Sequence, residues 1–225
     1  MKEYTRNEPW KKWIPFAGIA FIPLLSMIYA WLNNAEAPVV HSLYTDLDEA
    51  IPFVKAFIIP YALWIPYLYV TFLLLAWKNK SVYYRALAAY TVSALVCYLI
   101  YYFFQTTVIR PELAGDDIFT NLLAFVYRND EPVNCFPSIH CMSSFLLIVA
   151  VRKTQAAVWA KRGVAFFSWT IILSTLLVKQ HVILDAAAGI VLAKSAYLAA
   201  DYVLSRLQWG RVAYNETNTA YINDK

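Results

Sequence analysis

A chain of 225 residues with 60% hydrophobic and only 15% charged side chains is too apolar for a water-soluble domain of that length. Its net charge of +4, with 19 Lys and Arg against 15 Asp and Glu, gives no support for nucleic-acid binding. Three cysteines supply no disulfide framework.

A helix needs about 20 apolar residues to cross a hydrocarbon core of roughly 30 Å. Six such segments are expected along the chain: Trp13–Leu32, Pro52–Trp77, Leu87–Thr107, Ile139–Val151, Val164–Val178 and Val182–Leu204. The fourth and fifth are long enough only if helix runs from Pro137 to Arg152 and from Ala160 to Val178. Pro60 and Pro66 are expected to kink the second. There are no sustained heptads and no two-residue alternation, so the expected fold is all-α, a polytopic six-helix membrane bundle. Its expected layout is a cytoplasmic N-terminus over 1–12, one membrane domain over 13–207 and a polar, frayed cytoplasmic tail over 208–225. The basic N-terminus resembles a secretory signal, but its apolar run is long enough to span, and retention is expected.

With the N-terminus inside, fourteen Lys and Arg fall on the cytoplasmic face. Only Arg110, Arg128 and Lys179 fall outside, while Lys55 and Lys194 lie within spans. That asymmetry predicts a cytoplasmic-membrane protein with both termini inside. Cys97 is expected to be buried as a small apolar residue, and Cys135 and Cys141 on the outer side have the option of bridging.

Two outer loops are expected. The first, Asn33–Ala50, carries Glu36, His41, Asp46, Asp48 and Glu49 and reads as a solvated acidic cap. The second holds "GDDIFTNLLAFVYRNDEPVNCFPS", where Asp116 or Asp117 can cap a helix with Ile118, Leu122, Phe125 and Val126 at helical spacing. This predicts a short interfacial helix able to border a lipid entrance, with packing against the bundle as the alternative.

Three polar pieces fall at outer ends of spans: "QTTVIRPE" (Gln105–Glu112), "FPSIHC" (Phe136–Cys141) and "STLLVKQHVILDAAAG" (Ser174–Gly189). On a helix, the four-residue spacing of His181 and Asp185 places carboxylate and imidazole on one face. A carboxylate on one ring nitrogen sets the tautomer and leaves the other nitrogen the better nucleophile. In Pro-Ser-Ile-His a helix start offers amides to phosphate oxygens; Ser138 can donate to them, and His140 can protonate a leaving oxygen. Arg110 offers a planar fork for two phosphate oxygens, with Pro111 ending its segment.

Together the pieces resemble the motifs of the type 2 phosphatidic acid phosphatase superfamily, which includes lipid phosphatases and sphingolipid headgroup transferases. The Arg-Pro, the Pro-Ser-x-His and the Ser…His-x-x-x-Asp occur in order with the right internal spacing. The resemblance covers about residues 52–204. Phe103 stands where the family has a lysine, Ile139 where it has glycine and Thr175 where it has arginine, departures that bring the chain closer to the transferase branch. Lys179 or Arg128 is expected to compensate, as the other outer cations.

The resemblance implies a metal-independent double displacement without a cofactor. His181 would attack phosphorus to form a phosphohistidine, Asp185 would orient it, and His140 would protonate the leaving group. Arg110, Ser138 and Lys179 would hold the phosphoryl oxygens of a lipid phosphate or diphosphate. A lipid alcohol in place of water would make the protein an inositol phosphorylceramide or sphingomyelin synthase type of transferase. A metal on His140, His181 and Asp185 is opposed by the neighbouring arginine and lysine. A transporter or inactive scaffold is the non-enzymatic alternative, motivated by Lys194 and Asp201 within the last span.

Overall fold

The computed structural model describes residues 14–33 and 39–223. The expectations placed on Lys2, Arg6, Lys11, Lys12, Glu36 and Lys225 lie outside the described residues. The helices are α1 (Ile14–Ala17), α2 (Phe21–Asn33), α3 (Asp46–Glu49), α4 (Ile58–Ala62), α5 (Trp64–Lys78), α6 (Lys80–Phe103), α7 (Ile118–Asn129), α8 (Ile139–Arg152), α9 (Val158–Leu177) and α10 (Ile183–Asn223). Two short strands, β1 (His41–Ser42) and β2 (Thr106–Thr107), pair in parallel and fasten the first loop to the end of α6. They are a small addition to the all-α expectation.

Among the described residues, three stretches are long and apolar enough to cross a membrane: Lys55–Lys78, Lys80–Phe103 and Ile183–Leu207. Gly18–Asn33 and Ile139–Arg152 are shorter apolar helices. The 14 residues of α8 rise only about 21 Å, less than a hydrocarbon core. In α9 the length suffices, but Lys161 and Arg162 enter its first turns. Large apolar side chains face outward along the shafts, with Trp77, Phe103 and Trp159 each more than 60% exposed. Such a surface suits lipid better than water.

Local chemistry accounts for the breaks. Pro66 has no amide to donate to Ala62, and α4 ends there, with Leu63 as the joint to α5. Asn79 closes α5 and caps α6 by accepting from the Val82 amide at 3.1 Å. Asp117 caps α7 through the amides of Phe119 and Thr120 at 3.0 and 3.1 Å.

α8 is the central element, packing on α5, α6, α9 and α10. Met142, Leu146, Leu147 and Ala150 are fully buried in the main core with Phe72, Tyr83 and Tyr197. The polar ends of α6, α8, α9 and α10 therefore meet around the start of α8. In α7, Leu123 is buried against Ile58, Tyr61 and Val178, while Ile118 and Phe125 are exposed. The helix thus packs against the bundle through Leu123 and keeps an outward apolar edge at Ile118 and Phe125.

Candidate active site

The turn between α9 and α10 presents His181. After Leu177 the chain reverses at Lys179, whose φ is 53°, and the amides of Gln180 and His181 both donate to the Thr175 carbonyl at 2.9 and 3.1 Å. His181 therefore precedes α10 instead of lying within it. Its neighbour Asp185 stands in the first turn, with Oδ2 3.3 Å from His181 Nδ1 and accepting the Val182 amide at 3.0 Å. The pairing expected from helical spacing is present, but a capping geometry at the helix N-terminus produces it. His181 is 9% exposed and Asp185 only 1%.

The far nitrogen of His181 meets the second histidine. Nε2 lies 3.5 Å from His140 Nδ1, and the His140 ring is flanked by Tyr61 and Trp64 at 4.6 and 3.9 Å between centroids. Trp64 is itself held through Nε1, which donates to Ser143 Oγ at 2.7 Å. With Asp185 on Nδ1, the other nitrogen of His181, Nε2, faces His140 directly.

Packing brings the histidine-bearing ends together. The Ser138 amide donates to the Asp185 carbonyl at 3.1 Å, and Tyr101 donates to the Pro137 carbonyl at 2.6 Å. A Cβ on Gly189 would lie 2.6 Å from the Ser138 carbonyl oxygen, so the start of α8 can rest on α10 only because that residue is glycine. Gln105 and Thr106 of the first polar piece are structural: Gln105 Nε2 donates to Asn134 Oδ1 at 3.1 Å, and Thr106 Oγ1 accepts the amides of Cys135 and Phe136.

The expected phosphate-binding residues are placed less freely. Ser138 is fully buried, and its hydroxyl caps α8 by accepting the Cys141 amide at 3.2 Å. Arg110 stacks on Tyr127 and donates to the carbonyls of Tyr127 and Asp130, at 3.1 and 2.6 Å, and to Gln180 Oε1. Lys179 Nζ donates to the carbonyls of Asp48 and Ile51 at 2.8 and 2.6 Å. Arg128 is exposed and bonds to its own helix at Ala124.

The first loop is not merely a solvated cap. Asp48 is 3% exposed: Oδ2 accepts from the Thr45 amide and hydroxyl, and Oδ1 accepts the Ile183 amide at 2.7 Å. A carboxylate at the start of α10 is favoured by the helix dipole, and it stitches this loop to the His181 turn. The Thr45-x-x-Asp48 spacing of a capping box distinguishes Asp48 from Asp46 and Glu49, and tertiary packing then sets its second oxygen against Ile183.

A cavity of about 680 Å³ opens beside the histidines. His140, His181 and Gln180 line its polar part together with Asp130, whose carboxylate accepts from Tyr29 and Tyr61 hydroxyls at 2.8 and 3.3 Å. Ile22, Met27, Ile65 and Leu68 line an apolar part, and α7 contributes Leu122, Phe125 and Val126. No Lys or Arg is among the described residues that line it. Ile139, where the family motif has glycine, lies in this wall and in the core.

Remaining charges resolve individually. Lys55 pairs with Asp117 at 2.6 Å, and its hydrogen bond, with those of Thr120, holds the Asp117 carboxyl below the usual carboxylate range. Asp201 pairs with Arg85 at 2.8 Å, not with Lys194, which is exposed. Cys135 and Cys141 are both free, buried thiols. Burial first, and then the Asp185 and Asp130 carboxylates, push the Cys135 thiol well above its ordinary range.

A family model described as the PAP2 superfamily matches residues 34–199. No curated protein and no solved structure matches the chain.

Proposed function

The chain belongs to the PAP2 superfamily, and from that premise we propose that it is an integral membrane lipid phosphatase acting through a phosphohistidine on His181. Membership supports a phosphatase-like function; the substrate, the mechanism and the membrane side are our reading. The observation that carries it is the Asp185–His181–His140 array, with Nδ1 of His181 engaged by a carboxylate and Nε2 facing a second imidazole.

In the first step Nε2 of His181 attacks phosphorus, forming an N–P bond as the bond to the lipid oxygen breaks. His140 delivers a proton to that oxygen, and Asp185 stabilises the imidazolium character on His181. Water then attacks phosphorus, with His140 taking its proton, and releases phosphate from His181. Attack needs phosphorus within about 3–3.5 Å of the nucleophile, so the two imidazoles, 3.5 Å apart, must separate when substrate enters. The apolar part of the cavity receives the chain of the lipid.

Holding phosphate requires an exchange of partners. Arg110 would swap Gln180 Oε1 or a carbonyl for a phosphate oxygen, Ser138 would turn its hydroxyl from the cap, and Lys179 would leave the first loop. Arg110 is best placed, because its partner Gln180 is adjacent to His181 and lines the cavity.

We place the site on the outer face of a six-span bundle in the cytoplasmic membrane, with both termini inside. The lopsided distribution of Lys and Arg supports this arrangement. The domain limits proposed are those of the sequence reading, 13–207 for the membrane unit.

One observation favours headgroup transfer as a second reading. A cavity with the Asp130 carboxylate and no Lys or Arg in its described lining suits a singly charged phosphodiester better than a doubly charged phosphomonoester. A bound alcohol would then replace water in the second step.

The test uses full-length protein with lipid phosphates, alone and with lipid alcohol, in chelator. Free phosphate formed by the wild type and lost in His181→Ala supports the phosphatase. A new headgroup lipid without free phosphate supports transfer, and equal turnover by both proteins removes His181 as nucleophile.

A further inference from the structure

Cys135 has no part in the chemistry above, yet it stands against it. One ligand atom each of Cys135, His181 and Asp185 lie within 4.8 Å of one another. Cys135 is 4% exposed and comes from the loop before α8, so the trio joins two chain segments. Its placement is firm, since the Cys135 amide is held by Thr106 Oγ1 at 3.1 Å.

The second observation is an unsatisfied atom. Asp185 Oδ2 is engaged by Val182 and faces His181, but Oδ1 is buried without a hydrogen-bond partner. A buried acceptor left unpaired bears its full desolvation penalty. Cys135 and His181, the two partners of Asp185 in the trio, line the cavity. The nearby cations are each engaged by protein oxygens: Arg110 donates to Tyr127, Asp130 and Gln180, and Lys179 to Asp48 and Ile51.

We propose that Cys135, the Asp185-facing nitrogen of His181 and Asp185 form a binding site for a thiophilic divalent cation of the zinc class, and that occupancy silences the enzyme. The silencing rests on the phosphohistidine reading; the binding does not. Sulfur, nitrogen and oxygen donors together suit zinc or cobalt, whereas magnesium and calcium demand oxygen. The thiol gives up its proton to solvent and binds as thiolate. A tetrahedral ion draws the farthest donors together by about 1 Å and leaves its fourth position toward the cavity. His140 is excluded because it meets His181 on the opposite nitrogen. The proton on Nδ1 moves to Nε2, the ion takes the freed Nδ1 lone pair and ends the Asp185 hydrogen bond, so Nε2 is left without the lone pair that would attack phosphorus.

The experiment titrates chelator-stripped, full-length protein with Co²⁺ and reads the thiolate-to-cobalt charge-transfer absorption. One equivalent should generate the band, zinc should abolish it, and Cys141→Ser should retain it. Cys135→Ser should lose the band and bind zinc at least about 10-fold more weakly. A band that persists in Cys135→Ser, or no band in wild type, overturns the site. On lipid phosphate, zinc should stop phosphate release by the wild type, chelator should restore it, and Cys135→Ser should need at least about 10-fold more zinc. An active enzyme indifferent to bound cobalt, or activated by zinc, overturns the silencing. If the band forms but phosphate release survives His181→Ala, the metal site stands and the nucleophile assignment falls.

Discussion

The histidines and the cations of this site differ in how much bonding capacity they have left. His181 and His140 present nitrogens to each other across 3.5 Å beside an open cavity. Arg110 and Lys179 instead have protein oxygens as partners, Lys179 two loop carbonyls and Arg110 two carbonyls and a side-chain amide. The same distance from a motif therefore means different things for the two kinds of residue. An imidazole fixed by one carboxylate stays reactive at its other nitrogen, whereas the Arg110 guanidinium has given Nη1 and Nη2 to protein oxygens and keeps only a buried Nε.

The largest expected effect tests the free side of this contrast. His181→Ala should lower phosphate release by about 10⁴-fold or more, because it removes the nitrogen proposed to form the covalent intermediate. His140→Ala should lose about 10²–10⁴-fold on a lipid phosphate, and much less on an aryl phosphate whose leaving group needs no proton. Equal losses on both substrates would remove His140 as the acid.

The committed side should respond in stability before it responds in chemistry. Asp48→Ala leaves the Ile183 amide without its acceptor and should cost about 1–3 kcal/mol, read as a lower Tm. It should also lower kcat up to about 10²-fold through displacement of the His181 turn. Asp48→Asn, which keeps an acceptor for Ile183, should recover part of both.

Lys179→Met is the closest test of the comparison. As a loop clamp, the lysine should cost Tm while KM for a lipid phosphate changes by less than about 2-fold. A rise of about 10-fold in KM at unchanged Tm would instead make the ammonium a phosphate ligand, worth roughly 1.4 kcal/mol. The smallest effect belongs to Asp117→Asn. The Asp117 carboxyl is held low by Lys55 and Thr120, so its contribution is complete above the ordinary carboxylate range and declines as pH falls through the lowered one. The Tm difference between wild type and Asp117→Asn should be slight near neutrality and should narrow below about pH 4.

Much of this was legible in residue order. Apolar run lengths located the helices, since a chain with few charges must satisfy its backbone internally wherever lipid replaces water. Of the two prolines expected to kink the second segment, Pro66 marks the break between α4 and α5 while Pro60 lies inside α4; Asp117, one of two candidate caps, starts α7; and Pro137, expected in the first turn of α8, lies just before its cap Ser138. His181 and Asp185 could be paired from spacing, although the pairing arises from the turn before α10 and not from its helical face.

What folding alone settled is long-range. Asp48 meets Ile183, Lys179 meets Ile51, and the Cys135 sulfur comes to the His181–Asp185 pair from another segment of the chain. Gly189 carried a faint signal as an isolated glycine after three alanines, but its reason is the Ser138 carbonyl on a different helix. A side chain's type sets which bonds it is able to make. Which of them it has left for a substrate depends on the partners that packing brings within 3 Å, and no local pattern encodes those.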